Sequence, residues 1–181
     1  MALKSTIHKA ELQIADVDRG YYATHAVTIA RHPSETDERM MVRLLAFALG
    51  ASERLAFGKG LSDTDEPDLW ERDLTGAIER WIEVGLPDER RLAKAAGRAR
   101  DVVVYAYGGR AVPLWWSEIE PRIARLANLA VFAVPADASR ALAGFARRTM
   151  QLQFTIQEGQ VLVTSEDGTV QFDLEHLSAA S

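Results

Sequence analysis

The sequence predicts an α/β fold: a mixed sheet with helices packed on it, and a second, smaller antiparallel sheet contributed by the N- and C-terminal strands. Three observations carry this prediction. Both ends of the chain alternate apolar and polar residues with a period of two, the pattern of half-buried strands. Between Ile82 and Val134, apolar strand-like runs alternate with helical segments, which implies parallel strands joined by right-handed crossovers. No internal repeat, low-complexity tract or Pro/Ser-rich linker interrupts the 181 residues, so 1–181 reads as one domain large enough to bury a core.

In chain order, Ala10, Leu12 and Ile14 alternate with Lys9, Glu11 and Gln13, and residues 16–20 supply a turn. Tyr21 to Arg31 then returns with Val27 and Ile29 on one face, completing a hairpin. Pro33-Ser34-Glu35-Thr36-Asp37 opens a helix with Ser34 or Thr36 as its cap, and Gly50 stops it after Leu49. Met41, Val42, Leu45 and Leu49 form its apolar stripe, and Glu38 shares that inward face near the first turn. Leu55 to Phe57 reads as a short strand, and residues 68–84 as two antiparallel strands turning near Thr75-Gly76.

Pro87-Asp88 opens the next helix, with Asp88 capping, Glu89 in the first turn and a stripe of Leu92, Ala95, Ala96 and Ala99. The nearly apolar run from Asp101 to Tyr107 suits a strand buried on both faces, ended by Gly108-Gly109. A helix over Trp115–Leu126, a strand over Leu129–Val134 and a helix over Ala136–Phe145 follow. Met150, Leu152, Phe154 and Ile156 then alternate with glutamines and a threonine, and two further strands across Gly159 and Gly168 complete an antiparallel meander.

Composition narrows the function classes. With 48% hydrophobic and 26% charged residues the chain has the profile of a soluble globular protein, and no apolar run approaches the ~20 residues that span a bilayer. Met1-Ala2-Leu3-Lys4 lacks the apolar core of a secretory signal, and the absence of cysteine removes disulfides and thiolate chemistry, so a cytoplasmic protein without membrane attachment is expected. A net charge of −5 disfavours broad adhesion to nucleic acid. Locally, however, an acidic cluster (Asp63, Asp65, Glu66, Asp68, Glu71, Asp73) is followed by Arg90, Arg91, Lys94, Arg98 and Arg100. A metal site beside a phosphate track would have this charge order, and so would two ordinary solvated faces.

The chemistry is concentrated in Glu66-Pro67-Asp68-Leu69-Trp70 and Trp81-Ile82-Glu83-Val84-Gly85. If their strands pair, Asp68 and Glu83 converge, and two convergent carboxylates suit a hard divalent cation such as Mg²⁺. Glu83 interrupts an apolar run, so it must be paired, metal-bound or at an opening, and an arginine salt bridge would satisfy it equally well. Trp70 and Trp81 lie near enough to stack on bases, with core packing as the competing role, and Trp115-Trp116 reads as a core anchor. His8, His25, His32 and His176 have no ligand-like spacing and read as surface or edge residues.

A helical Glu, a Pro-Asp on a strand and a Glu on the next strand together resemble the PD-(D/E)XK nuclease superfamily over roughly residues 34–107. Along nearly its whole length the chain resembles the YaeQ family, on Glu35-Thr36-Asp37-Glu38-Arg39, Asp65-Glu66-Pro67-Asp68-Leu69-Trp70, Trp81-Ile82-Glu83-Val84-Gly85 and Lys94-Ala95. The resemblance implies a restriction-endonuclease-like mixed sheet flanked by helices. It implies Asp68 and Glu83 as ligands of Mg²⁺ or Mn²⁺, Glu38 completing or polarising the site, and phosphodiester hydrolysis in DNA or RNA by metal-activated water. Without the cation, such clustered carboxylates would hold raised pKa values.

The superfamily lysine, expected two residues after Glu83, is Gly85 here. Lys94, ~9 Å along the helix from its Asp88 cap, is the replacement candidate, and Arg90, Arg91 and Arg98 are candidates to hold phosphates. The alternative is a non-catalytic descendant that binds nucleic acid or a protein partner. The YaeQ resemblance implies a link to transcription elongation, and with it a partner in the transcription machinery.

Overall fold

In a computed structural model, residues 4–177 are described; the Met1-Ala2-Leu3 start read above for a leader lies outside them. The chain groups into two compact units. The first comprises the chain up to Leu49 with Asp137–Leu174, and the second Gly50–Ala136 with the segment from Glu175.

The first unit holds a five-stranded sheet. Strand β1 (Thr6–Asp16) pairs antiparallel with β2 (Tyr21–Arg31), and β8 (Thr149–Gln157), β9 (Gln160–Ser165) and β10 (Gly168–Asp173) form the meander, giving the order β10-β9-β8-β1-β2. β1 and β8 run parallel, with Leu12 opposite Leu152. This corrects the expectation of a purely antiparallel sheet. Period-two alternation shows which face a strand buries and says nothing of the direction of its neighbour. The alternation itself is realised: Leu12, Ile14, Leu152, Phe154, Val161 and Val163 are buried, while Glu11, Gln13, Gln151 and Gln153 face out.

Helix α1 (Asp37–Gly50) begins where expected, the Thr36 hydroxyl accepting the Arg39 N–H at 3.1 Å. Residues 40–48 are all buried, so the helix is enclosed on every side and the expected single stripe is only part of its apolar surface. Arg43 is the one charged residue in that stretch, and burial obliges it to be paired. Glu35, also buried, accepts from Arg43 Nε at 2.8 Å and Nη2 at 2.5 Å and from Arg39 Nη1 at 2.8 Å, while Arg43 also donates to the Ala30 carbonyl. His8 departs from its surface reading: it is 8% exposed and its Nδ1 hydrogen-bonds the Arg147 carbonyl oxygen at 2.8 Å. Helix α4 (Ala136–Ala143) precedes β8.

The second unit holds a six-stranded mixed sheet whose two edges are the stretches Leu55–Phe57 and Glu175–His176. Its strands are β3 (Leu55–Phe57), β4 (Leu69–Arg72), β5 (Ile78–Val84), β6 (Ala99–Ala106), β7 (Leu129–Ala133) and the two-residue β11 (Glu175–His176). The expected crossovers are present: β5 pairs parallel with β6 and β6 with β7, connected through α2 (Glu89–Arg98) and α3 (Ala111–Ile123). Asp88 caps α2, its carboxylate accepting the Arg91 N–H at 2.8 Å. Helix α3 starts four residues earlier than the Trp115 onset expected from sequence. The core of this unit gathers Trp81, Val102, Val104, Leu129 and Val131 from the sheet against Leu92, Ala95, Ile119 and Ile123 from the two helices.

Replacing Glu35 by alanine is expected to strand the Arg43 guanidinium and lower stability by about 3–5 kcal/mol. The double replacement E35L/R43M should recover most of the loss, since apolar residues of similar volume need no partner there. Urea unfolding of the three proteins checks both statements.

Candidate functional site

Strand pairing brings the two carboxylates together. Strands β4 and β5 pair antiparallel with Trp70 opposite Trp81 and Leu69 opposite Ile82, and one further step of that register sets Asp68 across from Glu83. Both are buried, at 1% and 3% exposure. Glu83 points to the helix-covered face that it shares with Trp81, next to Val104, close to the carboxyl end of β5. Open α/β sheets collect ligands at that end of their strands.

Directed hydrogen bonds hold both carboxylates. Asp68 Oδ2 accepts the Val84 N–H at 2.8 Å. Glu83 Oε1 accepts the Trp81 indole N–H at 2.7 Å and the Arg91 Nε–H at 2.6 Å. Gly60 closes the other side of Asp68. It has φ +46°, and a Cβ there would lie 2.5 Å from Asp68 Oδ1, so only glycine lets the backbone approach so closely. Burial pushes the Glu83 carboxyl up to about 7, the neighbouring Asp68 charge pushes the same way, and Arg91 and Trp81 oppose them.

Arg91 answers the requirement that Glu83 be paired. Besides Glu83, it donates through Nη1 to the Thr64 carbonyl at 3.0 Å and through Nη2 to the Glu66 carbonyl at 2.9 Å. Lys94 and Arg98, three and seven residues on, share its helix face. Lys94 is ion-paired with Asp65 on the same loop, and its ammonium holds the Asp65 carboxyl below the usual range. Arg98 donates to the Asp65 carbonyl at 2.9 Å and places its guanidinium 5.2 Å from the centre of the Trp81 ring. The basic face of α2 therefore clamps the loop over residues 64–66. Of the three arginines considered for phosphates, Arg91 and Arg98 make these internal contacts, while Arg90 is exposed with no ion pair among the described residues.

Gly85 ends β5 with φ +110°, its N–H donating to the Tyr105 carbonyl at 3.0 Å. A lysine at this position would be strained in the left-handed region, which gives a physical reason for the glycine. Glu38 belongs to the first unit and accepts the Ser139 hydroxyl at 3.0 Å, whereas Asp68, Glu83 and Lys94 belong to the second. Among the described residues no three His, Cys, Asp or Glu side chains are grouped to hold a metal. Two carboxylates nevertheless suit Mg²⁺, which keeps several waters and takes one or two protein carboxylates. The roles of Arg91 and Gly60 were not legible as such in the sequence. The available signals were an arginine eight residues after a buried Glu, and a glycine eight before a buried Asp.

Fold and site together define an α+β protein with two mixed sheets and a buried carboxylate pair countered by one arginine. The chain belongs to the YaeQ family, whose model, described as YaeQ protein, matches residues 1–174. It is 47% identical to "Uncharacterized protein YaeQ" of Salmonella typhi and 44% identical to that of Escherichia coli (strain K12), each over 174 residues and 96% of both chains. The crystal structure of YaeQ protein from Xanthomonas axonopodis pv. citri superimposes with a TM-score of 0.94 at 49% identity, covering 97% of this chain and 99% of that one. That of YaeQ protein from Pseudomonas syringae gives 0.93 at 44% identity, covering 97% of each. Among the described residues no helix is long and apolar enough to cross a membrane.

The raised Glu83 pKa has a sign that can be measured. Unfolded, this carboxyl releases its proton near 4.5, whereas folded it holds the proton up to about 7. Within that window the folded chain binds the extra proton. Its stability should therefore fall as pH rises, by up to about 1 kcal/mol per pH unit. Glu83→Gln should flatten the decline in denaturant midpoints measured without divalent cation. An unchanged slope in that variant would show that the decline comes from another group.

Proposed function

We propose that the chain is a nuclease-like protein of the PD-(D/E)XK type whose Asp68–Glu83 pair binds Mg²⁺ or Mn²⁺ and which acts on phosphodiesters of DNA or RNA. The observation that supports this most is the cross-strand meeting of two buried carboxylates at the carboxyl end of β5. Two such groups side by side are unfavourable unless cationic charge compensates them, and Arg91 hydrogen-bonds Glu83 through one nitrogen. When bound there, a divalent cation supplies a water of lowered pKa and stabilises charge developing on the phosphate.

The chain's own residues have separable tasks in this reading. Asp68 and Glu83 hold the cation, the Trp81 N–H fixes the Glu83 carboxylate, and Arg91 yields or shares its place on Glu83. Lys94, once released from Asp65, is the group available to orient water, and Arg90 is an exposed cation for a phosphate.

A second reading, a non-catalytic binder of nucleic acid or of a partner in the transcription machinery, is favoured by a separate observation. The lysine position is a left-handed glycine, and the replacement lysine is ion-paired with Asp65.

Millimolar Mg²⁺ or Mn²⁺ should raise the melting temperature of the wild-type chain by several degrees, as expected for a ligand at ~100-fold its dissociation constant. Asp68→Asn and Glu83→Gln should each lose that rise. No shift in the wild-type chain would overturn the cation site. Cation-dependent cleavage of single- or double-stranded DNA or RNA, abolished in both variants, would select the nuclease over the binder.

A further inference from the structure

A second surface of the sheet carries an unbalanced charge. β3 is the edge strand, and Ala56 stands opposite Trp70 on β4. Strand alternation puts Arg72 on the face of Trp70 and Arg54 on the face of Ala56. Arg54 comes one residue before the paired Leu55–Glu71 position and Arg72 one residue after it, and both line one cavity. Like charges in that relation repel. Neither guanidinium has a carboxylate partner among the described residues.

The acid that lines the same cavity, Asp73, is engaged by its own turn. Its Oδ1 accepts the Thr75 N–H at 2.8 Å, the Thr75 hydroxyl at 2.6 Å and the Ala77 N–H at 3.0 Å. Glu71 projects to the opposite face, where it accepts the Ser52 hydroxyl at 2.5 Å. Asp73, whose turn hydrogen bonds hold its carboxyl below the usual range, offsets part of this charge, and the two arginines leave the lining net positive.

These residues line a cavity of about 390 Å³ together with Trp70, Leu74 and Gly76. Its size is within the range of small-ligand sites. The Arg72 guanidinium lies 4.4 Å from the centre of the Trp70 ring, and Trp70 is in turn braced edge-on by the buried Trp81 with ring centres 6.4 Å apart. The result is a layered platform of indole and guanidinium, both of which line the cavity. A planar guanidinium fixed on an indole presents a π-like face with unspent N–H donors, which suits a nucleobase stacked above it. Arg54, across the strand, suits a phosphate. Leu74, 90% exposed at the tip of the β4–β5 turn, adds an apolar wall. An unpaired base can reach such a platform and a base within a duplex cannot.

We propose that the Arg54–Trp70–Arg72 cavity is a binding site for single-stranded nucleic acid, with a base stacked on the Arg72–Trp70 platform and the adjoining phosphate on Arg54. The choice of nucleic acid as the anion rests on the functional reading above, but the site uses neither Asp68 nor Glu83. Trp70 lies two residues after Asp68 on the same strand face, so a strand held here would run beside the carboxylate pair.

The test is fluorescence anisotropy of a short labelled oligodeoxythymidylate and oligouridylate at low salt without divalent cation, with the matching duplexes as controls. The wild-type chain should bind the single strands at least tenfold tighter than the duplexes. Arg54→Gln and Arg72→Gln should each weaken binding about tenfold and reduce the slope of log affinity against log salt. Both positions are exposed, so unchanged melting temperatures should accompany the loss. Trp70→Phe, which keeps a ring, should bind more tightly than Trp70→Leu. Asp68→Asn should bind the strands as the wild type does, so failure of the cation site and failure of this site give different patterns. Absence of single-strand binding, equal affinity for duplex, or full affinity in R54Q/R72Q would overturn the proposal.

Discussion

The second unit depends on one constraint: two carboxylates are buried next to each other where β4 meets β5. Buried carboxylates impose demands on whatever surrounds them, and each neighbour meets one. The Val84 N–H serves Asp68, the Trp81 indole serves Glu83, and Gly60 gives up a side chain so that its backbone can close against Asp68. Arg91 brings the positive charge, and does so only because Asp88 starts α2 at the right residue to aim it. Apolar residues would fill the same space without any of these requirements, so the pair is a demanding way to build this corner of the unit.

Helix α2 does two jobs with two faces. Leu92 and Ala95 pack into the core with Trp81, Val102 and Val104. Arg91, Lys94 and Arg98 clamp the acidic loop through its carbonyls and Asp65. The basic run that follows the acidic cluster in the sequence is therefore, in large part, its internal partner. Arg54 and Arg72, which lie outside that run, have no ion pair among the described residues. Charge order along the chain and charge balance in space give different answers, and the second bears on ligand binding.

Much of the architecture was legible from local pattern. The parallel β5–β6–β7 core followed from strand and helix alternation, and the Asp88 and Thr36 caps from residue type and position. The convergence of Asp68 and Glu83 followed from two short strands flanking an obvious turn. The parallel pairing of β1 with β8 was not legible, since residues so distant in sequence meet through tertiary packing that alternation does not encode. The buried Glu35–Arg43 pair was hidden for the same reason. Arg43 reads as one polar residue on an amphipathic helix, and only enclosure on all sides makes its pairing obligatory. That Gly85 closes β5 as a left-handed residue needed the backbone.

The most direct test of the carboxylate pair is a crystal grown with Mn²⁺ and measured for anomalous scattering at the metal edge. An anomalous peak bridging the Asp68 and Glu83 carboxylates, with the Arg91 guanidinium moved off Glu83 Oε1 or sharing it, is the predicted result. A map with no peak between them at millimolar Mn²⁺, and Arg91 still seated on Glu83, would contradict the cation site and leave Glu83 as the structural partner of Arg91.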